Sequence, residues 1–266
     1  MQHKKRPPVP VIVVLLLASF TSLAQSPDPR HAVYLAIVID DLGNSRLEGE
    51  RVAALPGPVA CSVLPQTPFS VHLAERCQSA GKEILLHLPM QPDDPAADPG
   101  PGALMTGQSR ATLRSLLHAG MDYLPGVIGV NNHMGSYLTR HAAYMDWLMQ
   151  DLSQMDGTLF VDSMTTPHSK ALGIARAYGV ATTRRDLFID NDPSPEGVRA
   201  QWGLLLESAL REGSALAIGH PRDATLDLLE TELEGLESRG IILTSVTDLI
   251  RFRQGETTPW QEFSSR

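Results

Sequence analysis

The sequence predicts an α/β protein whose parallel strands, about seven of them, close toward a (β/α) barrel. Three observations carry this expectation. Short, continuously apolar segments recur along the chain, amphipathic stretches of helical period separate them, and chemically capable residues gather where the apolar segments end. Strands that are apolar at every position are buried on both faces, as happens when helices cover both sides of a parallel sheet. About seven rounds of alternation suit a barrel-like closure better than a small open sheet.

The chain begins with Lys4, Lys5 and Arg6, an apolar run over 9–20, and a small-residue site at Ser22-Leu23-Ala24. That order predicts a secretory signal peptide over 1–24. The run is shorter than the roughly 20 residues that span a bilayer, and no cysteine follows it to take a lipid. A periplasmic or secreted protein is therefore expected, without stable membrane insertion once the signal is cleaved. With 30 acidic against 22 basic residues the formal charge is −8. Signal removal takes away three cations and moves it to about −11. Such a surface repels nucleic acid and anionic headgroups, so neither is an expected partner. The remaining chain of about 240 residues suits one large core.

Residues 25–32, with Pro27 and Pro29, read as a flexible leader to a domain over 33–253, and 254–266 as a tail. The run 33–39 reads as the first strand and ends in Asp40-Asp41-Leu42-Gly43. Strand 59–64, closed by Pro65, precedes a helix over 70–80; strand 84–88 is closed by Pro89. Residues 92–102, rich in Pro, Asp and Gly, form a surface loop. A helix over 109–123 carries Leu113, Leu116 and Leu117 on one side. Strand 127–130 leads into Asn131-Asn132-His133-Met134-Gly135-Ser136, and a helix over 142–153 follows. Then come strand 158–161 ending at Asp162-Ser163, helix 170–178, a short extended piece over 180–182, and helix 195–212. Strand 215–218 exits into Gly219-His220-Pro221; helix 224–238, strand 241–246 and helix 247–253 complete the domain. Cys61 and Cys77 either pair, as an oxidising compartment permits, or stay as two buried thiols.

The carboxyl ends of parallel strands share one mouth, where ligands bind. Asp40, Asp41, His87, His133, Asp162 and His220 all stand at such exits. Successive strand residues point to opposite faces, so one aspartate of the Asp40-Asp41 pair is free to reach a metal while the other serves as a base. His87 is a plausible metal ligand. The stretch around His133 is rich in polar groups where a helix should start, with Ser136 placed to cap it. His220 suits a proton donor, with Asp162 and Asp186 as the groups to hold its tautomer. Asp190 and Asp192 read as loop carboxylates. His3, His31, His72, His118, His141 and His168 read as solvent-facing or structural, and the scattered Trp147, Trp202 and Trp260 give no sugar-stacking platform. One aspartate and two histidines suffice to hold a catalytic metal with positions left for water and substrate.

Five segments, Ile39-Asp40-Asp41-Leu42-Gly43, His87-Leu88-Pro89-Met90, Asn131 to Ser136, Phe160-Val161-Asp162-Ser163 and Ile218-Gly219-His220-Pro221, together resemble the divergent polysaccharide deacetylase family, across roughly residues 33–253. The resemblance implies a NodB-like irregular (β/α) barrel, a divalent metal, zinc foremost, and an amino-sugar or glycan substrate. It implies Asp40 as base, Asp41, His87 and His133 as metal ligands, and His220 as general acid. Asn132, Ser136, Asp162 and Asp186 are then expected around metal and substrate. Gln91 stands four residues after His87, where the wider superfamily carries a second metal histidine, so His133 is expected to substitute. The implied activity is hydrolytic removal of an acyl group; the alternative is a metal-containing glycan- or cell-wall-binding module of the same fold without turnover.

Overall fold

The first strand, β1 (Val33–Leu42), is apolar through Ile39 and buried at every position but Asp41, because sheet neighbours flank it on both sides and helices cover the sheet. This computed structural model describes residues 32–255; the expected signal peptide, residues 25–31 of the leader and 256–266 of the tail lie outside the described residues. The other strands are β2 (Ala60–Val63), β3 (Ile84–Met90), β4 (Val127–Met134), β5 (Leu159–Asp162), β6 (Ala181–Arg184), β7 (Leu187–Phe188), β8 (Ser214–Gly219) and β9 (Ile241–Leu243). Every pairing is parallel, in the order β6-β5-β4-β3-β2-β1-β8-β7, with β9 against the start of β1. Among the described residues nine strands thus stand where about seven were expected, the two-residue β7 being the one not anticipated.

The ends of this path, β6 and β7, are joined by only Arg185 and Asp186. Three peptide steps span at most about 11 Å, whereas seven strand spacings laid flat would separate the ends by roughly 34 Å. The sheet must therefore curl on itself. Arg185 N donates to Asp162 O of β5 at 2.9 Å, and Asp186 N donates to Leu216 O of β8 at 2.9 Å. The two-residue link is the seam of the barrel.

Eight helices surround the sheet: α1 (Arg46–Ala54), α2 (Ser70–Ser79), α3 (Arg110–Tyr123), α4 (Ala142–Leu152), α5 (Ala171–Ala177), α6 (Pro195–Glu212), α7 (Asp223–Glu232) and α8 (Val246–Arg253). Alternation along the strands divides the core in two. Leu35, Ile37 and Ile39 pack outward with the helices. Tyr34, Ala36, Val38, Ala60, Leu85, Leu159, Val161, Leu216 and Ile218 form a separate cluster with Val246, Leu249 and Ile250 of α8. The last helix thus packs against one set of strand faces on which the remaining polar chemistry is built. Among the described residues no helix is long and apolar enough to cross a membrane.

Several expectations change. Helix α1 was not anticipated, because its buried side is Gly49, Val52 and Ala53, too small and too few to show a period. A Cβ on Gly49 would come within 2.3 Å of Leu73, so glycine lets α1 approach α2. Strand β4 runs through Met134, so Asn131 to Met134 are strand rather than the start of a helix. Ser136 accordingly caps nothing; its Oγ accepts from Asp93 N at 2.8 Å. The helix expected over 224–238 ends at Glu232 and continues as two 3-10 turns. Cys61 and Cys77 are both buried and form a disulfide that ties β2 to α2.

Candidate metal centre

Five strands place a polar residue two positions beyond their last inner apolar one. Val38 leads to Asp40, Ala60 to Ser62, Leu85 to His87, Val161 to Ser163 and Ile218 to His220. Side chains two apart share a face, so these groups form a polar layer above the apolar filling at the carboxyl mouth. Strand β4 adds Asn131, which lies opposite His87 in register.

Asp41 breaks the alternation. Its φ is +58°, and the pairing of β1 with β2 shifts between Ile39 and Leu42. The expectation that Asp40 and Asp41 face opposite sides is therefore corrected: this irregularity turns both carboxylates to one centre. Asp40 Oδ2 lies 3.7 Å and Asp41 Oδ1 3.1 Å from His87 Nε2. Gly43, at φ +128°, completes the turn where a Cβ would fall 1.9 Å from Thr67 Oγ1.

Asp41 Oδ1, His87 Nε2 and His133 Nδ1 form a nearly equilateral triangle, with sides of 3.1, 3.0 and 3.1 Å. Ligands about 2.1 Å from a metal stand about 3.0 Å apart on an octahedral face and about 3.4 Å apart in a tetrahedron, so the triangle fits a small divalent cation. Asp41 Oδ1 is buried without a hydrogen-bond donor, an oxygen that a cation on this face would satisfy. The three expected ligands are thus together, and the donor set suits the group.

Burial raises the Asp40 carboxyl above its ordinary value, against the opposing pull of His87, His220 and Asn131. Burial also acts to raise Asp41, but the imidazoles of His133 and His87 outweigh it and hold this carboxyl far below the carboxylate range. For His87, burial lowers the value while Asp40 and Asp41 more than restore it, leaving a net rise. Asn131, rather than its expected neighbour Asn132, contacts Asp40, His87 and Ser62. Asn132 instead ties the end of β4 to the segment after β5: its Oδ1 accepts from Ser163 N at 2.9 Å and its Nδ2 donates to Met134 O at 2.8 Å.

His220 faces the centre from the other side, its Nε2 3.8 Å from Asp41 Oδ2. Its Nδ1 meets Asp190 Oδ1 at 2.9 Å, and its backbone N donates to Asp190 Oδ2 at 2.8 Å. Thr225 Oγ1 also donates to Asp190 Oδ2. Asp190 is therefore the carboxylate that orients His220, and reading it as a loop carboxylate is corrected. Asp162 and Asp186 do not hold this histidine. Asp162 accepts from Met164 N and Ser169 Oγ, and Asp186 accepts from Leu216 N and Arg253. Burial lowers the His220 imidazole, yet Asp190 raises it further, and the net shift is upward; Asp190 itself is held below its ordinary value chiefly by His220, against burial. Asp190 directly follows the apolar run Leu187-Phe188-Ile189, of which two residues form β7, and that run was the signal available in the sequence. Gln91 is committed elsewhere, its Oε1 accepting from Thr106 N and Oγ1.

A family model described as divergent polysaccharide deacetylase matches residues 37–250. The chain is 31% identical to the uncharacterized protein YibQ of Escherichia coli over 242 residues, covering 90% of this chain and 74% of that one. It is 35% identical to an uncharacterized protein of Haemophilus influenzae over 202 residues, covering 76% and 71%. The crystal structure of an uncharacterized protein from Agrobacterium tumefaciens shares the fold, with a TM-score of 0.79 and 24% identity over 84% of this chain and 91% of that one.

Proposed function

Because the chain belongs to the divergent polysaccharide deacetylase family and has its NodB-like irregular (β/α) barrel, we propose that it is a metal-dependent hydrolase removing an acyl group, acetyl foremost, from an amino sugar of an envelope or extracellular glycan. One observation carries this reading: the Asp41–His87–His133 face lies between a buried carboxyl, Asp40, and an oriented imidazole, His220. Asp41 and His87 Nε2 with His133 Nδ1 would hold a divalent ion, zinc by preference, which when bound supplies Lewis acidity toward water and the amide carbonyl. Asp40 accepts a proton from the attacking water, its raised affinity for protons suiting that role. Water oxygen bonds to the acyl carbon as the C–N bond breaks. His220, held by Asp190, protonates the departing nitrogen, so carboxylate and free amine are the products. Cleavage of the expected signal over 1–24 places the protein in the periplasm or outside the cell, a compartment in which the Cys61–Cys77 disulfide persists.

The test is acetate release from N-acetylated glycans with zinc, cobalt or nickel, comparing the wild type with Asp40→Asn. The expected result is metal-dependent release that falls about 10²–10⁴-fold in the variant while metal stays bound. Absence of release by a protein carrying one metal per chain overturns the reading, and glycan affinity that survives Asp40→Asn then marks a binding module.

A further inference from the structure

We propose that Asn131 is the positioning residue of the metal centre, a single amide that fixes which nitrogen of His87 faces the metal and ties that choice to Asp40. Of its three close contacts, the one to Asp40 sets its orientation. Asn131 Nδ2 lies 2.6 Å from Asp40 Oδ1, Asn131 Oδ1 lies 2.6 Å from Ser62 Oγ, and the same Oδ1 lies 2.9 Å from His87 Nδ1. A carboxylate only accepts, so the amide must turn its NH2 to Asp40. Its oxygen then faces Ser62 and His87, both of which must donate. The neutral His87 imidazole therefore carries its proton on Nδ1, which leaves Nε2, the nitrogen facing Asp41 and His133, as the one free to bind a metal. A flipped amide would set two acceptors 2.6 Å apart at Asp40. Asn131 is fully buried and directly opposite His87 in the β3–β4 register, so no water competes for these contacts. Ser62, also fully buried, stands behind the amide on β2 and donates its hydroxyl to the oxygen whose direction Asp40 sets.

This assignment rests on the metal-dependent reading above but is measured without turnover. Zinc affinity of the whole protein is determined by chelator competition, and zinc-loaded protein labelled at histidine nitrogens is examined by NMR for the His87 Nδ1 proton. In Asn131→Leu, zinc binds ten- to a hundredfold more weakly, and the protected Nδ1–H signal disappears. In Ser62→Ala the loss has the same direction and is about two- to fivefold, since the contact lies one bond further out. Asn132→Ala provides the structural control. It removes the same kind of side chain one residue away from contacts to Ser163 N and Met134 O, and leaves zinc affinity within about twofold. Wild-type affinity in Asn131→Leu, or an equal loss in Asn132→Ala, overturns the assignment. Should Asn131→Leu fail to fold, unchanged affinity in Ser62→Ala does so. A wild type that binds zinc with this pattern yet releases no acetate retires the hydrolase reading and leaves the role of Asn131 standing; a wild type that binds no divalent metal ends both.

Discussion

Two carboxyl groups one residue apart are driven in opposite directions at the mouth. Burial raises Asp40, while the imidazoles of His133 and His87 hold Asp41 low despite burial. Paired groups whose affinities are pushed apart take the roles of base and ligand. His220 shows the same logic with the sign reversed. Asp190 raises it, so the imidazolium persists above about pH 6.5, the ordinary histidine value. Stability from this raised group is complete below that unfolded value and lost as pH rises through the folded one. For Asp190 the held-down value adds stability above the ordinary carboxylate value, lost as pH falls through the folded one. In the proposed role of general acid His220 must be protonated, so activity is expected to decline on the alkaline side. Asp190→Asn is expected to move that alkaline limb to lower pH, by about one unit or more, in the pH profile of kcat/KM. An unmoved limb means that Asp190 does not set the acidity of His220. The candidate metal ligands were legible because each stands at or close behind the end of an apolar run. Asp190 and Asn131 also follow apolar runs, but Leu187-Phe188-Ile189 was not read as a strand, and Asn131 lies within a strand that was expected to have ended at Val130.

At the scale of elements, the mouth is built from strand ends that leave ordinary backbone geometry. Among the described residues the non-glycine positions with positive φ are Asp41, Gln66, Met134 and Met164, and each sits at or just beyond the carboxyl end of β1, β2, β4 or β5. Such conformations cost of order 1 kcal/mol or more each and persist where surroundings enforce them. Met134 O, for example, accepts from Asn132 Nδ2 and Thr165 Oγ1. Apolar periodicity finds strands but cannot show where their ends twist, which explains why Asp40 and Asp41 were expected on opposite faces. The β2–α2 pair is reinforced covalently, since Cys61 and Cys77 are 16 residues apart and fully buried. Closing a loop of that size contributes about 3 kcal/mol in the chain-entropy account. Cys61→Ala with Cys77→Ala is therefore expected to lower the unfolding free energy by about 2–4 kcal/mol, read from urea midpoints. Zinc affinity should change little, because Cys61 packs outward while Ser62 faces the site. A double variant as stable as the parent would show that packing alone holds the pair.

For the whole molecule, the open question is what closes a barrel whose end strands do not pair. The sequence foretold the alternation of strands and helices, and hence a curled parallel sheet, but the closing contact joins residues nearly seventy positions apart that carry no local pattern. Chain continuity brings β6 and β7 together through Arg185 and Asp186, and Arg253 at the end of α8 bridges what lies below. Its Nε donates to Ser214 Oγ of β8 at 3.1 Å, its Nη1 to Thr183 Oγ1 of β6 at 2.7 Å, and its Nη2 to Asp186. Asp186 also accepts from Leu216 N at 2.7 Å. One guanidinium thus spans both sides of the seam and the link between them. The fork is partly shielded rather than free on the surface, and the hydrogen bonds involve charged groups, so its removal should cost more than an ordinary exposed ion pair. Arg253→Ala is expected to lower stability by about 1–3 kcal/mol in urea unfolding. Asp186→Asn should cost less, since an amide oxygen still accepts from Leu216 N. The double variant should lose less than the two single losses combined, as coupled neighbours do. Strict additivity, or an Arg253→Ala loss within about 0.5 kcal/mol of zero, would mean that chain connectivity and the apolar packing of α8 close the barrel by themselves.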